Sequence, residues 1–186
     1  MKRLFDIFFS LVLIMILIAP MFFIALAVLM TSKGPVIYWS DRIGKNNIIF
    51  KMPKYRSMKT ETPDIATHLM VDPNQYLSPI GNFLRRSSLD EIPQLFSILR
   101  GQMSFVGPRP ALFNQYDLIA LREDKKVDHL APGLTGWAQV NGRDDLSISE
   151  KVLLDVEYLD NQSFWFDLKI LWITLLKVIN THGIAH

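Results

Sequence analysis

From Ile7 to Met30 the chain carries no charged residue. As a straight helix that run would be roughly 36 Å long, enough to cross the hydrocarbon core of a bilayer. A segment this apolar has to be covered by lipid or by protein, so it constrains the fold more than any other stretch. Three arrangements meet the demand. Lys2 and Arg3 ahead of the run and Ala25-Leu26-Ala27 near its end fit a cleaved signal peptide, but the run exceeds the roughly 7–15 residues of an ordinary signal core. A single span is the simplest arrangement. Two features favour a re-entrant hairpin. Pro20 sits near the middle, where a missing N–H bends a helix. Both flanks are also basic: Lys2 and Arg3 before, then Lys33, Arg42, Lys45, Lys51, Lys54, Arg56 and Lys59 after, with only Asp41 among the latter. Positive charge favours the cytoplasmic side, and a straight span keeps only one end there. The expectation is a membrane segment over residues 1–32 that dips into one leaflet and returns near Pro20. Residues 33–186 would then form a cytosolic, membrane-associated domain.

The whole chain of 186 residues is one domain's worth with an appendage. A formal net charge of +2 gives no argument for nucleic acid. With no cysteine, disulfides and cysteine metal sites are excluded. Val36–Trp39 and Ile48–Lys51 read as two short strands around Gly44-Lys45-Asn46-Asn47, a β-hairpin. Residues 60–82, with Pro63, Pro73 and Pro79, read as a long surface loop. Residues 111–126 read as a helix. Ser147 and Glu150 have capping-box spacing and open another, with Val152, Leu153, Val156 and Leu159 on one face. A last helix starts near Ser163. Its apolar face is Leu168, Leu171, Trp172, Leu175, Leu176 and Ile179, behind a Phe164-Trp165-Phe166 cluster. That composition suits a core helix or one lying in a membrane interface. The fold class expected is α+β and mostly helical: a re-entrant membrane helix, a small cytosolic catalytic domain, a short β-hairpin and amphipathic interface helices.

The chemistry concentrates in residues 84–110. Ile92, Leu95, Phe96 and Leu99 fall at i, i+3, i+4 and i+7, the face of a short helix stopped by Gly101. Ser88 and Glu91 have capping-box spacing, so the helix is expected to begin between Ser88 and Asp90. Asp90 and Glu91 then lie in the first turn, where free N–H groups and the dipole favour negative charge. An Asp there should stay ionised, with its pKa held low. Neighbouring helical residues point about 100° apart, so the two carboxylates suit different jobs, such as nucleophile and metal ligand. An Asp-Glu pair at a helix start often does no more than complement the dipole. The company argues for more: Arg85 and Arg86 precede the pair, and a rigid Pro108-Arg109-Pro110 follows it.

Residues 131–143 form a glycine-punctuated loop with neither a P-loop nor a dinucleotide fingerprint. It is expected to let backbone approach a phosphate, with Arg143 alongside. His182 and His186 are spaced i, i+4 near the C-terminus, and His68 and His129 are isolated; none suggests a metal site or a hydrolase triad.

These segments, in this order, resemble the monotopic phosphoglycosyl transferases, also called the bacterial sugar transferase family. The resemblance runs from about Lys2 to Asn180. It rests on the apolar segment with Pro20, on Phe50-Lys51 and Lys54-Tyr55-Arg56-Ser57-Met58, on Ser88 to Leu95, on Met103 to Pro110, on Pro132 to Arg143, and on Asp155 to Tyr158. Four positions depart from the family pattern: Ala19 stands where Ser usually precedes the proline, Pro53 beside the Lys-x-Arg motif, Gln102 where an acid is common, and Ala131 where Arg is common.

The resemblance implies transfer of a sugar phosphate from a UDP-sugar to polyprenol phosphate (undecaprenyl phosphate). The implied setting is the cytosolic face of a bacterial inner membrane, with Mg²⁺ required and UMP released. It implies Asp90 as the nucleophile giving a covalent phosphosugar, and Glu91 as its partner, the two also holding Mg²⁺. Lys54, Arg56, Arg86, Pro108, Arg109, Pro110, Gln139, Asn141 and Arg143 are the implied substrate-binding residues. Partners are the UDP-sugar, polyprenol phosphate and inner-membrane lipids, without nucleic acid; a homodimer is left open. Two rival readings use the same residues differently: a membrane-anchored module whose basic stretch binds anionic lipid without catalysis, and a metal-dependent nucleotide-sugar hydrolase.

Overall fold

A computed structural model describes residues 1–63, 72–142 and 145–180. Arg143, His68, His182 and His186, and much of the loop expected over 60–82, lie outside the described residues. The fold is α+β and mostly helical, as expected. Helix α1 (Lys2–Thr31) leads into an antiparallel hairpin of β1 (Ile37–Ile43) and β2 (Ile49–Tyr55). Then come α2 (Gly81–Arg86), α3 (Gln94–Arg100), β3 (Ser104–Val106), α4 (Tyr116–Asp124), β4 (Gly133–Thr135), α5 (Trp137–Val140), α6 (Ile148–Asp160) and α7 (Phe164–Asn180). Strands β3 and β4 form a second, parallel pair.

Helix α1 is unbroken. Pro20 lies inside it, and no turn interrupts the helix there. Pro20 therefore does not split the segment into two helices: proline removes one N–H, but the rest of the helical ladder carries the backbone past it. The helix is long and apolar enough to cross a membrane, yet it lies along the domain over most of its length. Near its start, Lys2 Nζ is 2.6 Å from Asp167 Oδ2. Arg3 donates to the carbonyls of Ile98 and Leu99, at 2.6 and 2.7 Å. Buried Asp6 accepts from Ser104 Oγ and from the N–H of Phe105, both at 3.1 Å. Further along, Leu13, Ile14 and Leu17 pack on the main core, and Tyr55 Oη donates to the carbonyl of Met21 at 3.0 Å. Near its end, Val28 is buried with Tyr55 and Leu84. These residues recur at helical spacing on one side. The opposite side exposes Phe8, Leu11, Met15, Ile18, Phe22, Phe23 and Leu29. On α7, Trp165, Trp172, Leu175 and Leu176 are exposed while Ile170 is buried.

The hairpin register runs from Ile37 opposite Tyr55 to Ile43 opposite Ile49. It is longer than the sequence suggests, and Lys54 and Tyr55 belong to β2. The helix expected over 111–126 is confined to α4, because residues before it bond to the hairpin instead: the N–H of Ile43 donates to Ala111 O at 2.9 Å. The Ser147–Glu150 capping box forms. On α6, however, Leu153 is exposed, and the buried positions are Val152, Asp155 and Tyr158.

The central helix differs most from its expectation. Ser88 is left-handed, with φ 55°, and its side chain makes no cap. Leu89–Glu91 form a single 3₁₀ turn, and α3 starts only at Gln94, with Pro93 as its cap residue. Pro93 has no N–H to give and takes the place where none is needed. The break rotates the helix: Gln94, Leu95, Ser97 and Ile98 are buried, whereas Phe96 points outward. Gly101 ends α3 at φ +85°, a conformation that glycine adopts without penalty.

Candidate active site

The Leu89–Glu91 turn stands between two cavities. One, of about 150 Å³, is lined by Tyr38, Ser40, Arg42, Lys54, Arg56, Lys59, Arg85 and Asp90 among others. Its cations come from the hairpin, the segment that follows it, and the end of α2. The other, of about 440 Å³, is walled by Leu13 and Leu17 of α1, Leu95 of α3, Phe105 of β3, Leu134 of β4 and Leu171 of α7. Glu91 and Arg109 sit on this second wall, with Gln139. Adjacent carboxylates thus face different surroundings.

Asp90 is buried, 7% exposed. Burial raises its pKa, with Glu91 adding to the rise and the charges of Lys54, Arg85 and Arg109 opposing it. This corrects the expectation that the helix start holds it low. Asp90 sits in an isolated 3₁₀ turn, which lacks the aligned peptides of a helix N-terminus, and burial outweighs what remains. Lys54 is the counterpart: burial lowers its pKa, while Glu91 and Asp90 pull it back up. Its ammonium lies 2.8 Å from Glu91 Oε1, which also accepts from Arg109 Nη2 at 3.1 Å. Glu91 is therefore pinned between a strand lysine and a loop arginine.

The loop that carries Arg109 has no ladder of its own, since Pro108 and Pro110 lack N–H groups. Its carbonyls are taken one by one. Pro108 O accepts from the N–H of Gly133 at 2.9 Å. Arg109 O accepts from Arg122 Nη1 at 2.8 Å and Pro110 O from Arg42 Nη1 at 3.2 Å. Arg122 is in turn held by Asp155, through Nε at 2.9 Å and Nη2 at 2.7 Å. Behind this loop β3 and β4 lie very close: a Cβ on Gly133 would come within 2.2 Å of the nitrogen of Gly107. The glycines expected to let backbone approach a phosphate instead let one strand approach another.

Of the sequence candidates, Asp90, Lys54 and Arg56 meet at the cationic cavity, and Glu91, Arg109 and Gln139 at the apolar one. Pro108 and Pro110 shape the loop between. Arg86 is exposed and lines neither cavity. Arg85 takes the place expected for it, because Gly81 and Leu84 are the buried positions of α2 and Arg85 follows Gly81 by four residues; that spacing was available in the sequence. Asn141 is also exposed, and its side chain donates to the carbonyl of Trp137 at 2.8 Å, tying off α5. Arg143 lies outside the described residues. Arg42, Lys59 and Arg122 reach the site without having been singled out for it. Arg122 had no local signal, since its partner lies 33 residues away.

Asp90 and Glu91 are adjacent hard oxygen donors, and among the described residues no group of three or more His, Asp or Glu side chains assembles a fuller metal site. Two carboxylates suit Mg²⁺, which keeps several waters and takes the phosphates of a substrate as further ligands.

The model of the bacterial sugar transferase family matches residues 1–181. The chain is 42% identical over 185 residues to the UDP-glucose:undecaprenyl-phosphate glucose-1-phosphate transferase of Escherichia coli (strain K12), covering 95% of this chain and 40% of that protein. It is 39% identical over 191 residues to the undecaprenyl-phosphate glucose phosphotransferase of Komagataeibacter xylinus, covering 96% and 36%. An uncharacterized sugar transferase of Bacillus subtilis (strain 168) is 38% identical over 184 residues, covering 99% and 90%. The chain thus spans about two fifths of the length of the first two relatives and most of the third.

Proposed function

The chain belongs to the bacterial sugar transferase family, and from that premise we propose that it moves a sugar 1-phosphate from a UDP-sugar to polyprenol phosphate. One observation carries the reading. The Asp90–Glu91 turn separates a cationic cavity from an apolar one. A water-soluble dianionic donor and a lipid acceptor need those two surroundings at one reacting centre.

The donor's diphosphate enters among Arg42, Arg56, Lys59 and Arg85, where charge-assisted bonds hold it. An Asp90 carboxylate oxygen attacks the β-phosphorus. The bond from that phosphorus to the bridging oxygen breaks, and UMP leaves with the electron pair. The acceptor then uses the emptied site: its phosphate oxygen attacks the same phosphorus, and the acyl oxygen of Asp90 leaves as carboxylate. Lys54 and Arg109 fix Glu91 beside the reacting group, and their charge offsets the burial that disfavours an ionised Asp90. Mg²⁺ held by Asp90 and Glu91 would neutralise charge on the donor's phosphates. Phosphoryl transfer depends mainly on such positioning and neutralisation.

The test is UMP release from UDP-sugars in the presence of Mg²⁺ and polyprenol phosphate, with intact-protein mass measured after brief exposure to donor alone. Ping-pong kinetics with a phosphosugar adduct support the scheme. Intersecting double-reciprocal plots with no adduct at short times would sink it, and UMP formed equally without acceptor would indicate hydrolysis.

Both ends of α1 touch the same domain. We place both on the cytosolic side of the membrane, the exposed apolar faces of α1 and α7 resting in lipid. Lys2→Cys and Lys45→Cys should both resist a membrane-impermeant thiol reagent added to intact cells. Labelling at position 2 alone would establish a full span.

A further inference from the structure

We infer that Arg122 and Asp155, neither of which contacts either cavity's carboxylates, are positioning residues that aim the Arg109 side chain at Glu91. The inference rests on the role given to Arg109 above. Four successive carbonyls, Pro108 to Ala111, each accept a hydrogen bond from elsewhere in the fold. Two of those donors are backbone N–H groups of β4 and β1, fixed by the strands. The other two are side chains, Arg122 and Arg42, and only Arg122 grips the carbonyl of Arg109 itself. This grip falls on the carbonyl that lies between the two prolines, whose nitrogens carry no hydrogen to donate.

Arg122 could not do this as a loose surface residue. Its side chain is 12% exposed and that of Asp155 2% exposed. Asp155 engages two guanidinium nitrogens, which fixes the plane of the group and points its remaining nitrogen at the carbonyl. Asp155 comes from α6 and Arg122 from α4, so the angle of the loop is set by how those two helices pack. A buried pair of this kind adds little to stability beyond what apolar side chains of the same volume would give. Its third bond, into the loop carrying the site's arginine, is what an apolar replacement could not supply.

The experiment is a double-mutant cycle on UMP release under single-turnover conditions, using Arg122→Lys, Arg109→Lys and the double variant. Lysine at 122 keeps the charge but cannot bond Asp155 through two nitrogens and the carbonyl at once. Arg122→Lys should slow turnover about tenfold or more with a smaller change in donor KM, as small misplacements of an aimed group do. Once Arg109 is already lysine, the same change at 122 should cost less than about twofold, since the side chain being aimed is gone. Asp155→Asn should repeat this pattern. Thermal unfolding in detergent micelles serves as the control, and the single variants should stay folded.

Fully independent losses, the double variant as slow as the product of the singles, would overturn the inference while leaving Arg109's role intact. Unfolding of both Arg122→Lys and Asp155→Asn would also overturn it, because the pair would then hold the domain rather than aim one side chain. Arg109→Lys as fast as the unaltered protein would remove the reading of Arg109, and the inference with it.

Discussion

The cavity on the Asp90 side and the cavity on the Glu91 side share one three-residue turn and little else. The first is small and ringed by cations from β1, β2, α2 and the segment after the hairpin. The second is about three times larger and walled by leucines from α1, α3, β4 and α7. Residues one apart in sequence are thereby given opposite solvents. A regular helix could not have done so as sharply, since its first turn would have exposed both carboxylates to the same end-field. The 3₁₀ turn, entered through left-handed Ser88 and left through Pro93, sets them on different cavity walls while keeping them near enough to share Lys54's charge.

If the two sides divide the reaction as proposed, substitutions should fall into separable classes. The largest effect belongs to Asp90→Asn. It removes the attacking anion and keeps the shape, so turnover and the covalent adduct should vanish while folding and membrane association survive. Glu91→Gln should also be severe but should leave UDP-sugar binding measurable by calorimetry. Retained turnover in Asp90→Asn would erase the distinction between the sides.

Next comes charge. Arg109→Ala should lower activity about 10- to 150-fold, the worth of one charge-assisted bond of roughly 1.5–3 kcal/mol, here the bond that holds Glu91. Lys45→Ala, at the exposed hairpin tip, should do far less. Equal mild losses would make Arg109 structural.

The apolar side is probed by Leu171→Ala, which should raise KM for polyprenol phosphate about tenfold, as lost apolar contacts in a pocket do, and leave KM for the UDP-sugar unchanged. Raised KM for the donor instead would assign the larger cavity to the nucleotide.

The smallest effect concerns stability. Asp90's folded pKa lies above its ordinary value because burial disfavours its charge. The folded state therefore binds the proton more tightly than the unfolded chain. That advantage is complete below the ordinary carboxylate pKa of about 3.9 and is lost as pH rises through the raised value. At neutral pH Asp90 is a burden on the fold, and Asp90→Asn should unfold at a slightly higher temperature than the unaltered protein. The difference should shrink in acid. A lower melting temperature for Asp90→Asn at neutral pH would mean that attraction to Lys54 outweighs burial.

Features set by short-range pattern were legible in the sequence. The hairpin, the Ser147–Glu150 cap, the stop at Gly101 and the conspicuous Asp90–Glu91 pair each depend on a few adjacent residues. What escaped depends on partners far along the chain. β3 and β4 are three residues each and exist only because they pair with one another. Arg122 gains its role from Asp155. The raised pKa of Asp90 comes from burial, which no local spacing reports. Counted through Ile92, the apolar rhythm places Phe96 on the same face as Leu95, and the break at Pro93 shifts that rhythm. On α1 the lack of charge hid the contrast altogether: the buried side is marked by polar Asp6 and Ser10, and the exposed side is wholly apolar. That is the reverse of a soluble helix, and the two polar residues were the available clue.

The ion pair between Lys2 and Asp167 spans 165 residues of chain. At ribosomal rates of about 5–20 residues per second, the second partner is made roughly 8 to 33 seconds after the first. Through that interval Lys2 lacks its acceptor, and Asp6 lacks its donors for most of it. The apolar remainder of α1 is already complete and lacks the domain surface that later covers one side of it. Within these residues α1 is therefore finished before the domain that packs on it, and each contact at its start closes only as its partner emerges from synthesis.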